Sequence, residues 1–160
     1  MDFQTAITAL LIILVVVLPF YYHHIKHSRK EKKLFQILKE AAEKKGCKIT
    51  RKQVFFQSAI GLDEKQQKLL FVHINNGLTD FSFVSLDGLK HSTVQIQTAK
   101  QNGSDMPDKV ELLLRFNNTA AKDEILVFFD RNSGTGSLSD EVLGARKWAD
   151  YLSLSYINSK

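Results

Sequence analysis

The chain has 160 residues, 44% hydrophobic and 24% charged, with a formal net charge of +5. That length suits one small domain with a sufficient core, and no internal repeat or low-complexity tract divides it. The single cysteine, Cys47, excludes an intrachain disulfide framework.

Residues 3–22 carry no charged side chain. As a helix, about 20 residues reach roughly 30 Å, the hydrocarbon thickness of a bilayer. Met1-Asp2 lacks the basic start of a signal peptide, and Pro19-Phe20-Tyr21-Tyr22-His23 offers no small-residue cleavage site. The expectation is a retained transmembrane helix over residues 1–22. Lys26, Arg29, Lys30, Lys32 and Lys33 follow it, and no Lys or Arg precedes it. Basic residues mark the cytoplasmic side. A single-pass inner-membrane protein is therefore expected, with its N-terminus outside and its C-terminal domain in the cytoplasm. Those five residues are expected to contact an anionic lipid surface. Between His23 and Lys52 eleven Lys/Arg face three Glu, a net of +8. The charge belongs to this segment, and no aromatic-bearing recognition motif accompanies it, so nucleic acid is not expected as a partner.

Residues 29–45 read as a helix, with Ser28 as N-cap and Gly46 as the stop. Leu34, Ile37, Leu38 and Ala41 form a narrow apolar stripe. It fits either a helix lying on lipid or against a partner helix, or a spacer packed on the domain that follows. Residues 23–47 are read as this basic juxtamembrane helix or linker, and residues 48–160 as the domain proper.

From Lys48 the period changes to two. Val54, Phe56, Ser58, Ile60 and Leu62 mark a first strand, residues 68–74 a second, and the polar run 63–67 the turn between them. Asn75-Asn76-Gly77 is a turn signal. Further strands are expected at 81–86, 91–98, 110–116 and 124–130, with a loop at 101–107. Beyond the loop at 131–136, Leu138, Val142, Ala145, Trp148, Ala149, Leu152 and Tyr156 trace one face of a closing helix, with Asp140 and Glu141 at its positive end.

Short antiparallel strands followed by one amphipathic helix resemble the pleckstrin-homology-like fold of bacterial membrane-anchored proteins. The likeness covers roughly residues 54–157 and rests on element order and hydrophobic pattern. It implies an α+β domain, an antiparallel barrel or bent sheet closed by its C-terminal helix, acting as a binding or scaffolding module. An open sheet with the helix on one face fits the same pattern. The first hairpin loop begins Asp63-Glu64, so the phosphoinositide grip of eukaryotic relatives is not carried over.

Nothing in the sequence points to catalysis or to a cofactor. His23, His24 and His27 lack a carboxylate or thiol to complete a metal site, and none is expected. Cys47 among Lys44, Lys45 and Lys48 reads as an unreactive thiol at a helix end. The loop 133–137 lacks the Gly-Lys-Ser/Thr of a nucleotide loop. The adjacent acids Asp63/Glu64, Asp123/Glu124 and Asp140/Glu141 sit at turns and element starts, where acids are common. The expected function is therefore protein or peptide binding, or self-association, at the membrane, with lipid or small-ligand recognition as the alternative. Phe55, Phe81, Phe83 and Phe128 are the candidate contacts, by a sheet edge or groove that accepts a strand.

Overall fold

The computed structural model describes residues 31–75, 77–101, 104–117, 122–133 and 138–157. Helix α1 occupies 31–44. Seven strands follow: β1 Arg51–Val54, β2 Ser58–Asp63, β3 Lys68–Asn75, β4 Leu78–Ser85, β5 Leu89–Gln101, β6 Ser104–Phe116 and β7 Glu124–Asp130. Helix α2, Leu138–Leu152, closes the chain, continued by a wider helical turn at Ser153–Ile157.

The strands form two antiparallel sheets, β1-β2-β3-β4 and β5-β6-β7. No barrel closes among the described residues, which corrects the expected barrel. The physical reason lies in the two long strands β5 and β6. Among the described strands β5 pairs with β6 alone, so no ladder joins the two sheets, and β4 and β5 remain edges. One core sits between the sheets. Ile60, Leu69 and Phe71 meet Leu112, Leu114 and Phe128 there, and α2 adds Ala145, Trp148 and Leu152.

A second, smaller cluster lies on the outer face of the first sheet. Leu34, Leu38 and Ala42 of α1 pack on Ala59, Leu70 and Val72. Of the two readings of this helix, packing on the domain is therefore the one observed. Its end follows from Gly46, which adopts φ +64°, the left-handed region that glycine enters without strain. Gly46 N–H donates to Glu43 O at 3.0 Å and Cys47 N–H to Ala42 O at 2.9 Å, a Schellman closure. Cys47 is thereby buried against Ala42.

Two strand boundaries differ from expectation. The expected first strand breaks at residues 55–57, and β1 lies upstream of it. Phe55 N–H donates to Ser58 O at 2.7 Å and closes a turn with no Gly or Pro to announce it. The expected loop at 101–107 is largely strand, and Pro107 is accommodated at a register shift beside Thr98.

Residues 3–22 and the basic Lys26, Arg29 and Lys30 lie outside the described residues, as do His23, His24 and His27. Among the described residues no helix is long and apolar enough to cross a membrane. Helix α1 carries Lys32, Lys33 and Lys39, and α2 carries five charged side chains in its 15 residues. The expectation of a single-pass inner-membrane protein is corrected on that finding, because the described structure gives neither the span nor the placement any support.

Candidate partner-binding groove

Helix α1 lies over β2 and β3 and stops short of β4. Its stripe Leu34, Leu38 and Ala42 faces the sheet, and the adjoining flank, Ile37, Ala41 and Lys44, overlooks the β4 side. The result is a groove of about 260 Å³ between α1 and β4, lined by Ile37, Ala41, Lys44, Lys45, Phe81 and Phe83, with Glu40 on its rim. That volume lies below the roughly 300–1,000 Å³ of sites that enclose small molecules. It suits one or two side chains.

Strand β4 pairs with β3 alone, so among the described residues its other edge is open. The direction of its backbone groups follows from the ladder. Leu86 N–H donates to Gln67 O at 2.8 Å, and the register runs Lys68↔Ser85, Leu69↔Val84, Leu70↔Phe83. Bonded pairs alternate in an antiparallel ladder. Leu78, Asp80, Ser82 and Val84 therefore bond to β3, while Thr79, Phe81, Phe83 and Ser85 turn their N–H and C=O groups to the open edge. The bond from Ile74 N–H to Gln57 O, 2.8 Å, gives the same phase from the other side of β3.

The edge is thus apolar where it is open. Phe81 is 48% exposed and Phe83 40%. Lys45 Nζ stands 5.4 Å from the centre of the Phe83 ring, a cation–π contact of about 0.5–1 kcal/mol at an exposed site. The opposite edge, β1, shows exposed Arg51 and Lys52, the kind of charge that guards an edge against pairing. Strand β4 has no such guard on its α1 side.

The four candidate phenylalanines separate cleanly. Phe81 and Phe83 line the groove. Phe55 and Phe128 lie in the inter-sheet core, ring centres 5.1 Å apart and edge to face. Lys32 and Lys33 are exposed on α1.

A polar row crosses the inner face of the first sheet, unannounced by any sequence motif. Ser58, His73 and Asp80 are neighbours on β2, β3 and β4. Ser58 is fully buried and His73 is 6% exposed. Neither the Ser58 hydroxyl nor either imidazole nitrogen has a hydrogen-bond partner. The two hydrogen bonds that drive a Ser-His-Asp triad are therefore not made. Burial pushes the His73 imidazole below its ordinary value, as does Lys109, while Asp80 and Asp130 pull it back up. At neutral pH His73 is an uncharged core side chain.

Other acids serve the fold. Asp63 is buried at the β2–β3 turn. The backbone N–H groups of Gln66, 3.0 Å, and Lys48, 2.7 Å, hold its carboxyl below the usual carboxylate range. Glu64 accepts from the Tyr151 hydroxyl at 2.8 Å and ties α2 to the β2–β3 hairpin. Among the described residues no group of three or more His, Cys, Asp or Glu could hold a metal ion. No protein-family profile, curated protein or solved structure matches this chain.

Proposed function

We propose that the protein is a binding module that takes a segment of a protein partner in the groove between α1 and β4. The observation that carries this reading is the coincidence of three features on one strand. The edge of β4 is open, its exposed side chains are aromatic, and those same residues point their backbone groups outward. Exposed apolar edges invite aggregation unless something covers them. The likeness of element order to pleckstrin-homology-like modules supports a binding role in the same way.

The test is site-specific photocrosslinking in the cells the chain comes from. A benzoylphenylalanine at position 81 should yield a discrete protein adduct. The same group at Ile125, exposed on β7, should not. Equal labelling at both positions, or none at either, would refute the groove as a binding site.

A further inference from the structure

We infer that the occupant of this groove is an extended, acidic segment of a partner that joins β4 as a fifth strand of the first sheet; this rests on the binding reading above. Four observations on β4 and α1 point there.

The first is backbone geometry. Among the described residues the outward N–H and C=O groups of Phe81 and Phe83 have no ladder partner along the edge, where Thr79 and Ser85 flank them. Once a partner covers this edge those backbone groups need hydrogen-bond partners, and an added strand supplies them at this spacing. A docked helix has already used its own.

The second is side-chain spacing. Phe81 and Phe83 are two residues apart on one strand, about 6.8 Å. Side chains of an added strand repeat at the same interval. Every second one meets the pair of rings and the Ile37 and Ala41 flank of α1.

The third is the size of the groove. At about 260 Å³ it has room for side chains that enter from an adjacent strand.

The fourth is charge. Lys44 and Lys45 line the groove, Lys45 over the Phe83 ring, against Glu40 alone among its lining residues. Over residues 31–52 eight Lys/Arg face three Glu, a net of +5. On the other face of β4 the exposed charge is Asp80. An incoming strand therefore gains by carrying its carboxylates on the groove side, beyond its apolar residues, and polar or basic residues on the other side.

The experiment selects a displayed library of random peptides, about twelve residues long, on the full-length protein. Binders retained by the Phe81→Ser/Phe83→Ser variant are discarded. The expected sequences alternate apolar residues at every second position and place Asp or Glu on that same register. For the best such peptide, Lys44→Glu/Lys45→Glu should weaken binding about tenfold or more. Backbone N-methylation should weaken it about tenfold or more at one alternating set of positions and hardly at all at the other, because a strand bonds its neighbour through alternate residues.

Three results would overturn the inference. They are recovered peptides with apolar spacing of three and four, recovered peptides that are basic, or N-methyl effects that ignore alternation. Concentration-dependent self-association abolished by Phe81→Ser would also overturn it, in favour of a second copy of the chain. In each case an adduct at position 81 would still uphold the binding reading, so the two claims fail separately.

Discussion

The groove exists only because α1 docks on the first sheet, and Leu38→Ala tests that docking. Leu38 is fully buried, and its Cδ2 lies 3.1 Å from where a side chain on Gly61 would begin. Truncation to alanine removes three carbons, about 2.4 kcal/mol at roughly 0.8 kcal/mol for each. The cavity left between helix and sheet adds to this, giving about 3–4 kcal/mol. A helix of about 14 residues is marginal in isolation, so its protection rests on that packing. The assay is amide hydrogen exchange over residues 31–44, with urea unfolding followed by Trp148, which is buried in the other core. Exchange in α1 should quicken about a hundredfold or more. The urea midpoint should fall as well. Unchanged exchange in α1, with stability altered by less than about 0.5 kcal/mol, would refute the docking, since that is the size of an ordinary surface substitution.

Three further outcomes follow from the same structure. Gly144→Ala places a methyl group into the Phe55 ring, which itself packs edge to face with Phe128. Overpacking of about 1–3 kcal/mol should outweigh the gain of about 1 kcal/mol in helix propensity and lower the urea midpoint. A second change, Phe55→Leu, should recover part of the loss. Gly46→Ala forces a left-handed residue at the end of α1 and should cost about 1–2 kcal/mol, with Gly46→Asn milder, by the same measurement.

The third concerns pH. Because the folded pKa of His73 lies below its ordinary value of 6.5, the unfolded chain binds more protons. Stability should therefore rise with pH through this window. It should begin to fall as pH drops through 6.5 and level off below the folded value. His73→Leu should flatten that part of the profile in urea titrations, and an unchanged slope would show that His73 is not the titrating group.

What the sequence shows and what it hides divide along physical lines. The stop at Gly46, the strand at Glu124–Asp130 and the apolar face of α2 depend on neighbours within a turn or two, and all three are legible. The break at residues 55–57 is not, because Phe55-Phe56-Gln57 continues an alternating pattern through a turn closed by a single backbone bond. Period-two patterning also treats Phe55, Phe81, Phe83 and Phe128 alike. Only the placement of α1 and of the second sheet covers two of them and exposes the other two. The row Ser58, His73 and Asp80 depends on the register of three strands, which no local signal specifies. Sheet closure is likewise a long-range matter. The consecutive strands β4 and β5 do not pair, which leaves two sheets instead of a barrel, and the Asn-Gly-Ser and Pro signals near residues 102–107 hide the length of the β5–β6 hairpin.

The central claim, that β4 pairs with a partner strand, is tested most directly by residue-resolved amide exchange with a selected peptide bound. The amides of Thr79, Phe81, Phe83 and Ser85 should gain protection, while those of Asp80 and Ser82, already bonded to β3, should change little. Protection confined to other elements, with these four amides as exchangeable as before, would contradict it.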